Sequence, residues 1–260
     1  VKRSGAMGRM EYSTNEMMAI RAARLIKDGD IVFVGTGLPM LAAMAAKQIH
    51  APGAILFFET GGIDPILEEI PMCVSDPRVM YWTSLNSGLI EAFSIAAHRR
   101  LRTIALLGAA QIDRYGNLNS TCIGPYHRPK VRLPGSGGAG DVAALADAFI
   151  VFMRHEKRRF VEKLDYLTSV GWYQGRDSRR KLGLKRGGPI AVITDLGVFG
   201  FDEVTKEMYL AEYYPGISLE QIIENTGFEV DTSRAKETDP PTEEELKILR
   251  EKVDPQRLIL

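Results

Sequence analysis

Ile31-Val32-Phe33-Val34-Gly35-Thr36-Gly37-Leu38-Pro39 decides the fold class: four apolar residues stop at a glycine turn, and a proline then opens a run of small apolar residues through Ile49. The pattern reads as a short buried strand, a turn and a helix, with proline in the first helical turn where its missing N–H costs nothing. Ala54 to Phe58 follows as a second strand, apolar on both faces, as parallel sheets covered by helices require. Glu59 ends that strand in Phe58-Glu59-Thr60-Gly61-Gly62. A carboxylate there is expected to be paired, hydrogen-bonded or functional, because ligand sites of parallel sheets gather at the carboxyl ends of the strands. On the residues alone, a turn-capping or ion-paired role and a nucleophilic role both stay open.

Working outward, Ser13 or Thr14 is positioned to cap a first helix carrying Glu16, Met18, Ala22, Leu25 and Ile26, which Gly29 is expected to end. Further strands are expected at Val79–Trp82, Thr103–Leu107, Phe149–Met153 and Ile190–Thr194, with a helix over Gly88–Arg100. Val161–Val170 reads as amphipathic and partly strand-like. Phe199–Asp202 and Met208–Glu212 read as a terminal antiparallel hairpin, and Leu219–Glu224 as a short helix. After Pro240-Pro241, Thr242 and Glu245 form a capping box for a docked tail helix with Leu246, Leu249 and Val253 on one face. Alternating strands and helices predict an α/β fold, an open, mostly parallel doubly wound sheet flanked by helices. Residues 1–12 are set aside as an extended start or a cloning remnant, leaving 13–260 as one domain.

The 260 residues carry 33 acidic and 33 basic side chains, so no global field favours nucleic acid. The longest apolar runs fall short of a membrane span, and the two cysteines, Cys73 and Cys122, have no metal-type spacing. A cytoplasmic protein with no membrane contact is the expectation. Cys73, among Pro71, Met72 and Val74, reads as a buried small hydrophobe. The four histidines have no pair at ligand spacing, and no metal is expected.

Gly35-Thr36-Gly37 resembles part of a dinucleotide fingerprint, but Met40 occupies the third glycine's place and no acidic ribose partner other than Glu59 follows. A structural turn or a generic phosphate contact remains. Gly135-Ser136-Gly137-Gly138-Ala139-Gly140 leaves its backbone uncovered before a helix expected over Val142–Ala148 and capped by Asp141; such a loop can hold an oxyanion or pack backbone on backbone. Asn117 and Asn119 flank a turn at Gly116 and serve either Asx-turns or a substrate. His155-Glu156-Lys157-Arg158-Arg159 reads as a solvated or ion-paired turn, with a phosphate contact as the alternative.

In order along the chain, seven stretches resemble the beta subunits of family I CoA-transferases of the glutaconate type. They are Thr14-Asn15-Glu16-Met17, Val34-Gly35-Thr36-Gly37-Leu38-Pro39, Phe58-Glu59-Thr60-Gly61, Gln111-Ile112-Asp113 with Tyr115-Gly116-Asn117, Gly135-Ser136-Gly137-Gly138-Ala139, His155-Glu156-Lys157-Arg158-Arg159-Phe160, and Glu224-Asn225-Thr226-Gly227-Phe228. The resemblance implies that Glu59 is the catalytic glutamate, with Thr60 where the family has serine, and that it carries CoA as a glutamyl thioester. Gly137, Gly138 and Asn119 are the expected oxyanion donors, and Gly35, Gly37, Gly135 and Ser136 the expected CoA contacts. It implies no permanently bound cofactor, CoA thioester and carboxylic acid as substrates, and an alpha subunit as partner in an α2β2 or larger assembly. Much of the substrate recognition is then expected on that partner, with Phe57, Tyr81 and Trp82 as candidate pocket residues here. Similar scaffolds that lack the glutamate act as acyl-CoA decarboxylases or ring-opening hydrolases, and a non-catalytic ligand-binding module of the same fold class is the remaining alternative.

Overall fold

The structure, a computed structural model, describes residues 11–98 and 100–260. Most of the extended start and Arg99 of the His98-Arg99-Arg100 run lie outside the described residues. The chain forms two compact units, one running through Thr103 and rejoined by Asp239–Leu260, the other Ile104–Thr238.

In the first unit, α1 (Thr14–Ala23) starts at Ser13, whose hydroxyl accepts the Glu16 N–H at 3.2 Å while the Glu16 carboxylate accepts the Ser13 N–H at 2.6 Å. This reciprocal cap satisfies two of the orphan donors of the first turn. The helix stops at Ala23, earlier than the Gly29 boundary expected; Leu25 and Ile26 continue as tight turns, with N–H groups on the Ala22 and Ala23 carbonyls. β1 (Ile31–Val34) is wholly buried, and α2 (Leu38–Ile49) follows the turn at Gly37, whose φ of +76° a side chain would resist. β2 (Ile55–Phe57) lies parallel to β1 with Phe33 opposite Phe57, their rings meeting edge to face at 5.4 Å. β3 (Gly62–Ile63) turns straight back antiparallel on β2, and β4 (Leu85–Asn86) adds antiparallel to β3. α3 is limited to Leu89–Ala96.

Val79–Trp82 is not a strand. Asp76 accepts the Arg78 N–H at 3.0 Å and Pro77 starts a 3-10 turn over Pro77–Met80, so local capping chemistry overrides the apolar run. The tail docks as expected: Leu246, Leu249 and Val253 are buried, the capping box at Thr242 is formed, and Arg24–Glu245 and Arg250–Glu16 ion pairs at 2.6 and 2.5 Å tie the tail to α1.

All but the first residue of β5 (Thr103–Gly108) lies in the second unit. Two small antiparallel pairs follow: β6 (Gln111–Ile112) with β7 (Leu118–Asn119), and β8 (Cys122–Ile123) with β9 (Val131–Arg132). α4 covers Ala139–Leu145, so Asp141 sits inside the first turn and Gly138 takes the cap position expected of it. β10 (Ala148–Phe152) pairs in parallel with β5 and with β11 (Pro189–Ile193). β12 (Gly197–Phe201) and β13 (Met208–Tyr213) continue antiparallel; α5 (Leu219–Glu224) follows. That hairpin is not terminal, because β14 (Lys236–Glu237) pairs in parallel with β13. Val161–Val170 forms no element of its own and meets β7 at Thr168 and Ser169, whose N–H groups both reach the Leu118 carbonyl. In each unit, parallel strands with buried faces are extended by antiparallel ones, the α/β architecture the alternation predicts.

Candidate functional site

Glu59 stands at the tip of the β2–β3 turn. The Gly61 N–H reaches the Phe58 carbonyl at 2.9 Å and the Phe58 N–H the Gly62 carbonyl at 3.0 Å, which closes the turn around Glu59 and Thr60. Ser87 clamps it from outside, its N–H and hydroxyl both donating to the Gly61 carbonyl at 2.9 and 3.0 Å. The Thr60 hydroxyl donates to the Val74 carbonyl at 2.9 Å. Gly61 has φ +103°, and a Cβ there would lie 2.0 Å from the Ser87 carbonyl oxygen. The backbone therefore has one conformation, and only glycine fits it.

The half-buried Glu59 side chain is treated differently. Its carboxylate accepts no hydrogen bond and joins no ion pair among the described residues. Four acids of the same unit, all buried or half-buried like Glu59, are engaged: Glu16 by Arg250, Glu245 by Arg24, Asp30 by Arg102, Asp64 by Lys47. A turn closed by backbone hydrogen bonds on both sides of Glu59, with its carboxylate uncommitted, holds a nucleophile or base in place at no cost in broken contacts. Because β1 and β2 are parallel, the Gly35–Gly37 turn after β1 and Glu59 after β2 lie at the same end of adjacent strands. The structure thus brings Gly35 and Gly37 to the Glu59 end of that unit. Phe57, expected in a pocket, is fully buried core; Tyr81 and Trp82 are exposed. Cys73 is exposed too, with Sγ 3.4 Å from the Ser75 hydroxyl, because its turn follows the surface rather than the core.

The remaining expected residues lie in the second unit. Gly135 and Gly137 have φ of +99° and +46°, and nothing lies within 4 Å of where their side chains would stand. Ser136 is exposed and its carbonyl accepts the Ala139 N–H at 2.9 Å. The N–H groups of Gly137 and Gly138 have no acceptor among the described residues. The loop is anchored to β7 through Ser120, whose carbonyl accepts the Gly135 N–H at 2.9 Å and whose hydroxyl donates to the Gly135 carbonyl at 2.8 Å.

Asn119 does not offer a free donor. Both its amide protons are used, on Gln111 Oε1 at 2.7 Å and the Cys122 carbonyl at 2.8 Å, and its oxygen accepts the Thr121 N–H at 2.9 Å. A buried amide so satisfied shapes the loop between β7 and β8. Asn117 is equally spent, donating to Asp113 and the Tyr173 carbonyl and accepting from Gly171 and Tyr173. The basic run at 155–159 splits: Glu156 pairs with Arg158 and Arg159, the ion-paired turn expected, but His155 is buried against Phe160 at 4.3 Å. The Thr226 hydroxyl donates to the Ile222 carbonyl, so His155 Nε2 donates to Thr226 at 3.0 Å. Burial pulls the His155 pKa down to about 4, with Asp195 acting the other way. Sequence reading missed Ser87 and Arg179. Arg179 is buried and donates to four carbonyls, those of Ala143, Val170, Gly171 and Arg186, and burial draws its pKa down to about 10. Neither carries a local signal, since their partners are distant in sequence or are backbone carbonyls that any residue supplies.

Among the described residues no group of His, Cys, Asp and Glu converges as a metal site, and no helix is long and apolar enough to cross a membrane.

The Coenzyme A transferase family model matches residues 15–225. The chain is 46% identical to the B subunit of glutaconate CoA-transferase from Acidaminococcus fermentans over 94% of this chain and 93% of that one, and 41% identical to the B subunit of 3-oxoadipate CoA-transferase from Pseudomonas knackmussii over 92% of each. A cholesterol ring-cleaving hydrolase IpdB subunit of Mycobacterium tuberculosis is 28% identical over 94% of this chain and 95% of its own length. The crystal structure of the A. fermentans glutaconate coenzyme A-transferase superposes with a TM-score of 0.92 at 44% identity, covering 95% of this chain and 97% of that chain. With the match extending over the Glu59 turn and the glycine loop alike, the chain belongs to the coenzyme A transferase family.

Proposed function

We propose that the chain is the beta-type subunit of a CoA-transferase that moves CoA from an acyl-CoA to a small carboxylic acid through a thioester on Glu59. The uncommitted Glu59 carboxylate on its clamped turn carries this reading. A Glu59 carboxylate oxygen attacks the acyl carbonyl carbon; the carbon–sulfur bond breaks, and CoA leaves as the thiolate while an acyl-glutamyl anhydride forms. The thiolate then attacks the glutamyl carbonyl and expels the acyl group as a carboxylate. The acceptor acid repeats these two steps in reverse order, and Glu59 is regenerated. Protons and electrons balance without a metal or redox partner. Each tetrahedral intermediate needs donors at its oxyanion, and losing one such donor typically costs about 3 kcal/mol. Within the second unit, the unengaged Gly137 and Gly138 N–H groups are donors of the kind an oxyanion takes.

Two relatives are named for glutaconate and 3-oxoadipate, both dicarboxylates, which favours a small dicarboxylic acid as substrate here. Both are B subunits by name, which supports an alpha-type partner, and the exposed run Tyr81, Trp82, Leu85, Leu89 and Ile90 supports a partner that covers it. Hydrolysis or decarboxylation on the same scaffold is the second reading, motivated by the ring-cleaving relative. The complex with its partner subunit, incubated with acyl-CoA and then borohydride or hydroxylamine, is expected to show Glu59 reduced or converted to the hydroxamate. Turnover with Glu59 never modified makes covalent transfer wrong and favours the second reading.

A further inference from the structure

From Arg114 to Gly140 the sequence contains no Asp or Glu, in a chain whose acids and bases balance at 33 each. Arg114 is paired with Glu162 at 2.9 Å. Arg128, Lys130 and Arg132 are exposed in the β8–β9 hairpin and make no ion pair among the described residues. Three cations without an ion-pair partner are an arrangement that an anionic ligand relieves.

Planar surface stands beside them. The Tyr126 ring, 47% exposed, stacks on Tyr166 at 5.2 Å and an interplanar angle of 26°. The Arg132 guanidinium lies 5.0 Å from the Tyr126 ring centre and donates to the Tyr126 carbonyl at 2.9 Å. Cations for phosphate together with aromatic and guanidinium planes for a base are the two features a phosphorylated purine uses. Nucleic acid fits less well, because the cationic surface is confined to one hairpin of a chain with zero net charge.

The hairpin also leads directly into the glycine loop. The Leu133 N–H reaches the Thr121 carbonyl at 3.0 Å, and Gly135 is fixed to Ser120 as described above. From Arg132 to Gly137 the chain has a reach of at most about 17 Å. A CoA thioester separates its phosphorylated adenosine from its reacting carbonyl by the whole pantetheine arm, so its two ends require two such stations apart from each other.

The geometry points to the β8–β9 hairpin as the seat of the nucleotide end of the CoA thioester, with Arg128, Lys130 and Arg132 on its phosphates and the Tyr126–Tyr166 pair against its purine. This assignment rests on the CoA-thioester reading above and places part of CoA recognition on this chain rather than on the partner subunit.

The test uses the complex with the partner subunit and two readouts: calorimetric binding of adenosine 3′,5′-bisphosphate, and KM for acyl-CoA against the corresponding acyl-pantetheine. In the combined variant Arg128→Gln, Lys130→Gln, Arg132→Gln, bisphosphate affinity is expected to fall about 30-fold and KM for acyl-CoA to rise by a similar factor. The acyl-pantetheine KM and kcat stay as they were. Tyr166→Ala should weaken the bisphosphate several-fold without altering the pantetheine thioester. Wild-type affinity for the bisphosphate in the combined variant overturns the assignment. So does an equal rise in KM for both thioesters, or loss of the partner subunit on purification with bisphosphate binding intact, which assigns the hairpin to subunit docking. A wild-type complex that binds acyl-CoA but not the bisphosphate refutes the hairpin and leaves the function reading standing; one that binds neither defeats both.

Discussion

The Glu59 turn and the Asp113 loop are alike in sequence, each an acid followed within three residues by glycine, yet their side chains meet opposite fates. Asp113 accepts the N–H groups of Tyr115 and Asn117 at 2.9 and 3.0 Å and the Asn117 side chain at 2.8 Å. Burial pushes its carboxyl above the ordinary carboxylate range while those hydrogen bonds pull the other way. Asn117 then passes the network on to Gly171 and Tyr173. In the Glu59 turn the backbone is just as fixed, by Gly61, Gly62 and Ser87, but the carboxylate is left out of the network. A polar side chain whose partners are all internal builds structure, whereas one withheld from its neighbours on a rigid support is available for chemistry.

Exchanging the two roles by mutation gives the largest contrast. Glu59→Gln is expected to lower kcat of the complex at least about 10⁴-fold while shifting unfolding free energy by no more than about 0.5 kcal/mol. Asp113→Ala, which strands three donors, should cost about 3 kcal/mol in denaturant unfolding and leave kcat per folded molecule within about tenfold. Destabilisation by the first variant, or loss of turnover in a stably folded second, breaks the comparison.

Gly61→Ala probes whether the clamp matters as much as the carboxylate. With φ +103° and the Ser87 oxygen 2.0 Å from the new methyl, the turn must open, at an expected cost of about 3 kcal/mol. Borohydride labelling of Glu59 should fall with it. Full labelling in a destabilised Gly61→Ala complex separates the two properties and shows that the clamp is structural only.

The smallest effect lies in the second unit and is set by pH. His155 has a folded pKa of about 4 against an ordinary 6.5, so the unfolded chain binds the proton first. Stability is therefore complete above pH 6.5 and is lost as pH falls through that value toward 4. The loss between pH 7.5 and 5 is about 2 kcal/mol. Urea unfolding at the two pH values checks this. His155→Gln should flatten the slope, and an unchanged slope assigns the acid sensitivity to other groups.

Where local chemistry was strong, the sequence was a good guide. The capping boxes at Ser13 and Thr242, the glycine turn before α2, the parallel core strands and the tail helix face all appear as read, because each depends on residues a few positions apart. Readings failed where distant or competing partners decided the outcome. Asp76 and Pro77 turned an apolar run into a 3-10 turn, and Cys73 faced solvent. His155 left its basic cluster for an apolar pocket beside Phe160.

For the site, sequence by itself determined that an acid ends a buried strand at a glycine turn, and that a second, glycine-rich loop precedes a helix; residue order and size suffice for that. Tertiary structure decided which polar groups are spoken for. Asn119 became part of the scaffold because Gln111 and Cys122 took both its protons, and Glu59 remained uncommitted because Ser87, brought from 26 positions beyond Gly61, satisfies the turn's backbone and not its carboxylate. Hydrogen-bond saturation is a property of neighbours in space, and the order of residues along the chain does not encode it locally.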